Sequence, residues 1–157
     1  MAMALNNPVI LLFPEVNKIS CKPVNFGKSS VNDLESILAD LGSTCNRYKA
    51  LGLAANQLGY NKQIFVWRNR KDILGYMVNP HIVQFSKDRC VIEEACLSLP
   101  NEKYWVKRYK QIKMYWYDVF GKCHFYQAKG AEAFVLQHEF DHLYSVCIKD
   151  KNCGSYV

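Results

Sequence analysis

Residues 131–144 read AEAFVLQHEFDHLY, and within them Gln137-His138-Glu139-Phe140-Asp141-His142 carries the pattern H-E-x-x-H. Side chains four apart on an α-helix lie on one face, about one turn above each other. His138 and His142 can therefore offer two imidazoles to one cation. Glu139, beside the first of them, can accept a proton from water held there. The helix expected over 131–144 follows Gly130 and is apolar around much of its circumference, at Phe134, Val135, Leu136, Phe140 and Leu143. A helix of that kind is buried on most sides, which makes it the central element of the fold. A chance match inside a buried helix is the bland reading of the motif, and the rest of the chain has to decide.

Upstream of that helix the chain reads mainly as strands. Residues 63–67 are rich in β-branched and aromatic types, and 76–78 follow, closed by a turn at Asn79-Pro80. Further strands are expected at 81–85, 90–99, 104–106 and 112–119, the last with Met114, Trp116 and Asp118 on one face and Lys113, Tyr115 and Tyr117 on the other. Phe120-Gly121-Lys122 reads as a tight turn into a strand at 123–128. The first 30 residues, punctuated by Pro8, Pro14 and Pro23, leave at most a short extended piece at 9–13. Ser29 or Ser30 then caps a helix, because Val31, Leu34, Ile37, Leu38, Leu41, Cys45 and Tyr48 recur at three- and four-residue steps. Gly42 weakens the last turns of that helix. No repeat, linker or boundary interrupts the pattern. The expectation is a single α+β domain over 1–157, with mostly antiparallel strands around a central helix that carries H-E-x-x-H.

Composition narrows the function classes. With 157 residues, 50% of them hydrophobic and 22% charged, the chain can build one sizeable core, and wholesale disorder is excluded. The net charge of +6 is spread out, with local clusters at Arg68-Asn69-Arg70-Lys71 and along 103–113. A solvated face explains these clusters, and attraction to RNA-rich surroundings or acidic partners is secondary. Seven cysteines, an odd number with no C-x-x-C, suit a reduced, cytoplasmic protein. Residues 1–12 lack the features of a signal peptide, and no stretch approaches the roughly 18 apolar residues of a membrane span.

A catalytic two-histidine site needs a third protein ligand and an open position. Residues 143–157 contain neither His nor Glu, Asp150 is their sole carboxylate, and Ile148 stands six residues after His142. The third ligand therefore comes from upstream. Cys96, in Glu94-Ala95-Cys96-Leu97-Ser98, is a candidate because a thiolate beside two imidazoles leaves a fourth position for water. Taken alone, it reads first as a buried core cysteine. His81 and His124 are further, isolated candidates. One more stretch stands out: residues 50–59, ALGLAANQLG, set small side chains around a single amide, Gln57. A tight packing seam is its plain reading. Close backbone approach to a ligand, with Gln57 donating to a carbonyl oxygen, is the functional one.

These three stretches, in this order, resemble the signature motifs of the peptide deformylases, hydrolases that remove the formyl group from N-formylmethionine at the start of new bacterial polypeptides. G-x-G-x-A-A-x-Q is met by Gly52, Ala54, Ala55 and Gln57, with Ala50 in place of the first glycine. E-G-C-L-S is met by Glu94, Cys96, Leu97 and Ser98, with Ala95 for the glycine, and Q-H-E-x-D-H is met in full. The resemblance implies one divalent metal per chain, ferrous iron first with zinc, nickel or cobalt as substitutes, held by Cys96, His138 and His142. It further implies that metal-bound hydroxide attacks the formyl carbon with Glu139 as general base and then acid. The amide of Gln57 and the backbone N–H of Leu97 would stabilise the oxyanion, and Gly52 would lie against the substrate backbone. Leu51, Ile92, Glu94, Phe134 and Val135 fall near the family's methionine pocket, with Phe134 bulkier than the aliphatic residue expected there. Asp141 would sit behind the ligands with Arg108 as partner.

The implied partners are N-formylmethionyl peptides and nascent chains, with no membrane and no direct reading of nucleic acid. Ending at Val157, the chain looks like shortened members, some found in bacteriophages, and lacks the basic extension that docks other members on the ribosome. Its place would be the cytoplasm, that of a bacterial host for a phage protein. Two other classes stay open on the residues alone: an H-E-x-x-H peptidase acting on ordinary peptide bonds, and a metal-stabilised binding protein without turnover.

Overall fold

The computed structural model describes residues 8–154. The first helix, α1 (Val31–Arg47), begins where its capping chemistry starts. Ser30 Oγ accepts from the Asp33 N–H, and the Asp33 carboxylate accepts from the Ser30 N–H, so two of the otherwise unpaired first-turn groups are satisfied. Its stripe Leu34, Ile37, Leu41 and Cys45 is buried, and Gly42 does not shorten it, since Leu41, Thr44 and Cys45 dock the last turns on the core.

Five antiparallel strands form the main sheet: β1 (Gly52–Ala54), β2 (Ile64–Arg68), β3 (Leu74–Phe85), β6 (Gln111–Tyr117) and β7 (Cys123–Lys129), in the order β1-β2-β3-β6-β7. A separate two-stranded sheet pairs β4 (Arg89–Cys96) with β5 (Leu99–Tyr109). The second helix, α2 (Ala131–Leu143), carries the H-E-x-x-H stretch. The result is an α+β domain of mostly antiparallel strands with two helices.

Two strand expectations change. Asn79-Pro80 does not end a strand, and β3 runs through it for 12 residues. The turn signal is absorbed as a bulge between Val78 and His81, where Asn79 takes a φ of 47°. Its side chain then acts like a strand partner, accepting from Val24 N at 2.7 Å and donating to Val24 O at 2.9 Å. Conversely, 90–99 is not one strand. Leu97 and Ser98 make the turn of the β4–β5 hairpin, and β5 begins at Leu99, well before the expected 104.

The sheet separates two apolar layers. Phe65, Trp67, Met77, Ile112, Met114 and Ala128 pack on Leu136 and Leu143 of α2. Ile64, Val66 and Val78, from the opposite face, pack on Leu34 and Leu41 of α1. A smaller cluster of Cys96, Leu99, Val106, Cys147 and Ile148 lies beneath the hairpin. The central helix is less enclosed than its apolar pattern implies: Leu136 and Leu143 are buried, but Phe134, Val135 and Phe140 are only half-buried. For Phe134 and Val135 the reason is a cleft between α2, the hairpin and β1. No described helix is long and apolar enough to cross a membrane.

Candidate active site

The cleft has a volume of about 1390 Å³ and is walled by the N-terminal segment, the end of α1, β1, the β4–β5 hairpin and one side of α2. At its floor Cys96 Sγ lies 3.3 Å from His142 Nε2, which lies 3.2 Å from His138 Nε2. The three donor atoms fall within 4.8 Å of one another, so one ion can touch all three. The helical spacing of the two histidines and the hairpin turn just after Cys96 produce this convergence.

His138 is oriented from behind, whereas His142 Nδ1 has no hydrogen-bond partner among the described residues. His138 Nδ1 faces Glu94 Oε2 at 3.1 Å, which assigns the proton to Nδ1 and leaves the Nε2 lone pair free. Glu94 is itself gripped by Arg108, whose Nε and Nη2 donate to its two oxygens at 2.9 and 2.8 Å. The third arm of the Arg108 guanidinium reaches Asp141, and Lys151 adds a second cation to that carboxylate at 2.9 Å. Burial works against charge on Glu94, but the hydrogen bonds from Arg108 and His138 overcome it and hold the group at about 2. Arg108 is 1% exposed, so this network is an interior one. His142 is driven well below the ordinary histidine value, first by burial and then by neighbouring positive charge, which favours its neutral, ligating form.

Glu139 points from the same helix into the cleft. It is 3% exposed, and its Oε2 has no hydrogen-bond partner among the described residues. Desolvation pushes its carboxyl up to about 7. Gly52 of β1 presses against it, since a Cβ there would stand 2.7 Å from Glu139 Oε1. Gln57 completes the floor. Its Oε1 accepts from the Ala54 N–H at 2.9 Å, so its NH2 must point the other way, to Ser98 Oγ at 3.2 Å and Cys96 Sγ at 3.6 Å. A thiol, two imidazoles and an orphaned carboxylate in one buried corner fit a divalent cation with a reacting water, and suit zinc or ferrous iron by ligand type.

Leu51, Ile92, Phe134, Val135 and Leu97 line the cleft, with Leu51 62% exposed at its rim. Glu94 also touches the cleft wall, but its carboxylate is committed to Arg108 and His138. His81 and His124 lie elsewhere: the first stacks on Tyr115, the second on Trp116 while bonding Asp118 at 2.8 Å. Sequence reasoning did not find Asn56, which is fully buried and donates to the His142 and Ile19 carbonyls. Nor did it find the strap of residues 8–13. There Leu11 N donates to Gln57 O at 2.7 Å and Phe13 N to Ser98 O at 2.9 Å, tying the two loops of the floor together. The apolar run at 9–13 was the one signal for it.

The polypeptide deformylase family model matches residues 8–153. The chain belongs to that family. It is 31% identical to the peptide deformylase of Microchaete diplosiphon over 151 residues, covering 94% of this chain and 81% of the relative. It is also 34% identical to that of Fusobacterium nucleatum over 124 residues, covering 78% and 71%. Among solved structures, a class I type b peptide deformylase from Acinetobacter baumannii superposes with a TM-score of 0.85 at 28% identity, over 91% of this chain and 97% of that one. The peptide deformylase from Thermotoga maritima gives 0.83 at 31% identity, over 91% and 95%. The protein is thus an enzyme, a metal-dependent hydrolase that removes the N-formyl group from newly made polypeptides.

Proposed function

We propose that Cys96, His138 and His142 hold the ion and that Glu139 is the proton carrier of a formyl-amide hydrolase. The observation that carries this reading is the convergence of three donor atoms within 4.8 Å beside a buried carboxylate whose Oε2 lacks a partner. A divalent ion bound there, ferrous iron by preference, supplies Lewis acidity and lowers the pKa of an adjacent water.

Everything else is done by side chains and backbone. Glu139 Oε2 takes a proton at the start of the reaction and returns it to the leaving amine, a task suited to a carboxyl held near neutrality. The Gln57 NH2 and the Leu97 N–H donate to the developing oxyanion. Because Gln57 is clamped by Ala54, its donor needs no reorientation during the reaction. Gly52 lets the substrate backbone approach Glu139. Leu51, Ile92, Phe134 and Val135 receive the apolar side chain of the first residue, and the aromatic ring of Phe134 limits how deep that chain can reach. Arg108 neutralises Glu94 and Asp141, which keeps His138 oriented. The seven thiols, none of them in a disulfide, support a reducing, cytoplasmic setting.

A solved relative carries Met-Ala-Ser in its structure, and another binds actinonin. The test is formate release from formyl-Met-Ala-Ser by protein loaded anaerobically with ferrous iron, compared with Glu139→Gln. Metal-dependent release that the variant loses by at least about a hundredfold is expected. Equal turnover by the two proteins rejects the role of Glu139. Cys96→Ala should lose the ion while Cys45→Ala keeps it, and equal metal content in both rejects the ligand set.

A further inference from the structure

Among the described residues, one face of the main sheet is only half covered. Of the two helices, α1 packs on β1 and β2 and leaves the β6–β7 half of its face open. Strand register shows which side chains project there. Val78, buried in the α1 layer, pairs with Tyr117, so Tyr117 and Tyr115 share its face. His81 pairs with Tyr115, and Tyr115 pairs in turn with Phe125. His81, Tyr115 and Phe125 therefore form one aromatic row across three strands. The His81 and Tyr115 rings stack at 5.0 Å and 30°, and Phe125 is 64% exposed. Tyr117, held by Phe26 at 5.9 Å, extends the row toward the β6–β7 turn.

The neighbouring rows have a different chemistry. Gln84 pairs with Lys113 and Lys113 with Gln127, and Gln111 pairs with Lys129 one step further along. Amides and ammonium groups thus border the rings on one side. Strands β3, β6 and β7 contain no Asp or Glu at all, within a chain of net charge +6.

We propose that this face binds single-stranded RNA, with bases stacked on His81, Tyr115 and Phe125 and the phosphate backbone against Lys113 and Lys129. Every base offers a π-face, so a row of rings at strand spacing accepts successive bases whatever their sequence. The lysines neutralise phosphates, and the missing carboxylates remove the charge that would repel them. The glutamines can bond base edges without selecting one base. A stacking surface of this kind attracts RNA without reading it. The choice of RNA over DNA rests on the proposed function, because a nascent polypeptide emerges beside RNA.

The experiment is fluorescence anisotropy of a labelled single-stranded RNA of about twelve nucleotides with the whole protein, at about 50 and about 200 mM salt. Saturable binding that weakens with salt is expected. Tyr115→Ala combined with Phe125→Ala should weaken it by roughly tenfold or more. Lys113→Gln should weaken it and lower the salt slope by about one. Formate release should stay at the wild-type level in every variant, which also shows that each one is folded. No saturable binding, equal affinity of the variants, or equal binding of a duplex overturns the proposal. Tighter binding of the same sequence as DNA overturns the assignment to RNA. A dimer in solution that dissociates on Phe125→Lys assigns the face to a second copy of the chain instead and overturns it too. Wild-type protein that binds RNA but releases no formate would reject the functional reading alone.

Discussion

Replacing Gly52 with alanine tests how the cleft is built. The new Cβ would lie 2.7 Å from Glu139 Oε1 and 2.9 Å from both its Cδ and Cγ. Favourable carbon contacts lie near 3.5–4.0 Å, so the two groups must part by roughly 0.7–1 Å. The strand cannot supply that movement, because Gly52 is registered against Trp67 and Ala54 against Phe65, and Leu53 and Ala54 are fully buried. Glu139 must yield instead. A displacement of about 1 Å in a catalytic group costs on the order of a hundredfold in rate. The backbone at Gly52 is not in the left-handed region, so the penalty is contact and not conformational strain. No metal donor atom is touched, and overpacking of this kind costs about 1–3 kcal/mol of stability, which leaves the protein folded. The assay is kcat/KM for formyl-Met-Ala-Ser, normalised to bound metal and paired with a melting curve. We expect a loss of roughly a hundredfold at unchanged metal content. A variant within threefold of wild type, with its metal retained, would refute the idea that Gly52 sets the place of the Glu139 carboxylate.

Three other changes probe the scaffold. Arg108→Met leaves the half-buried Glu94 and Asp141 carboxylates without their shared cation, with Lys151 remaining on Asp141 alone, and should cost about 3–5 kcal/mol in denaturant unfolding and about 10–100-fold in metal affinity; a loss under about 1 kcal/mol would mean that the network is not held by charge. Gly42→Ala places a methyl 3.4 Å from Leu74 and against nothing tighter, so removal of a mid-helix glycine should raise stability by about 0.5–1 kcal/mol, read as a higher Tm. Tyr60 donates to Asp40, and chiefly that hydrogen bond pushes its phenol up to about 12. A raised acid favours the folded state below its unfolded value near 10 and loses that advantage as pH climbs toward 12. The stability gap between wild type and Tyr60→Phe should therefore be constant below pH 10 and shrink above it; a gap that grows with alkalinity would contradict the assignment.

Much of the site can be read from local pattern. His138, Glu139 and His142 are legible because helical spacing alone fixes their relative positions. The capped start of α1 is legible because Ser30 and Asp33 satisfy each other within one turn. Motif resemblance adds Cys96 and Gln57. The reading failed at Asn79-Pro80, where a local turn signal yielded to long-range pairing, and at Leu97-Ser98, where a turn falls inside a stretch that reads as continuous strand. Val24 stitched the first into a bulge, and the register of β4 against β5 turned the second into a hairpin.

What the chain determined by itself is the chemistry available: two imidazoles and a carboxylate on one helix, a thiol, an amide, and a glycine among alanines. Tertiary structure decided where those groups meet. Cys96 and His142 are 46 positions apart yet 3.3 Å from contact atom to contact atom, and the Gln57 NH2 meets Ser98 Oγ at 3.2 Å across 41 positions. Periodicity constrains only residues within a turn or two of each other, whereas the placement of β1 and the hairpin against α2 depends on burial of the whole sheet. The same holds for the outer face. His81, Tyr115 and Phe125 share no local spacing in the sequence and become a row only through strand register.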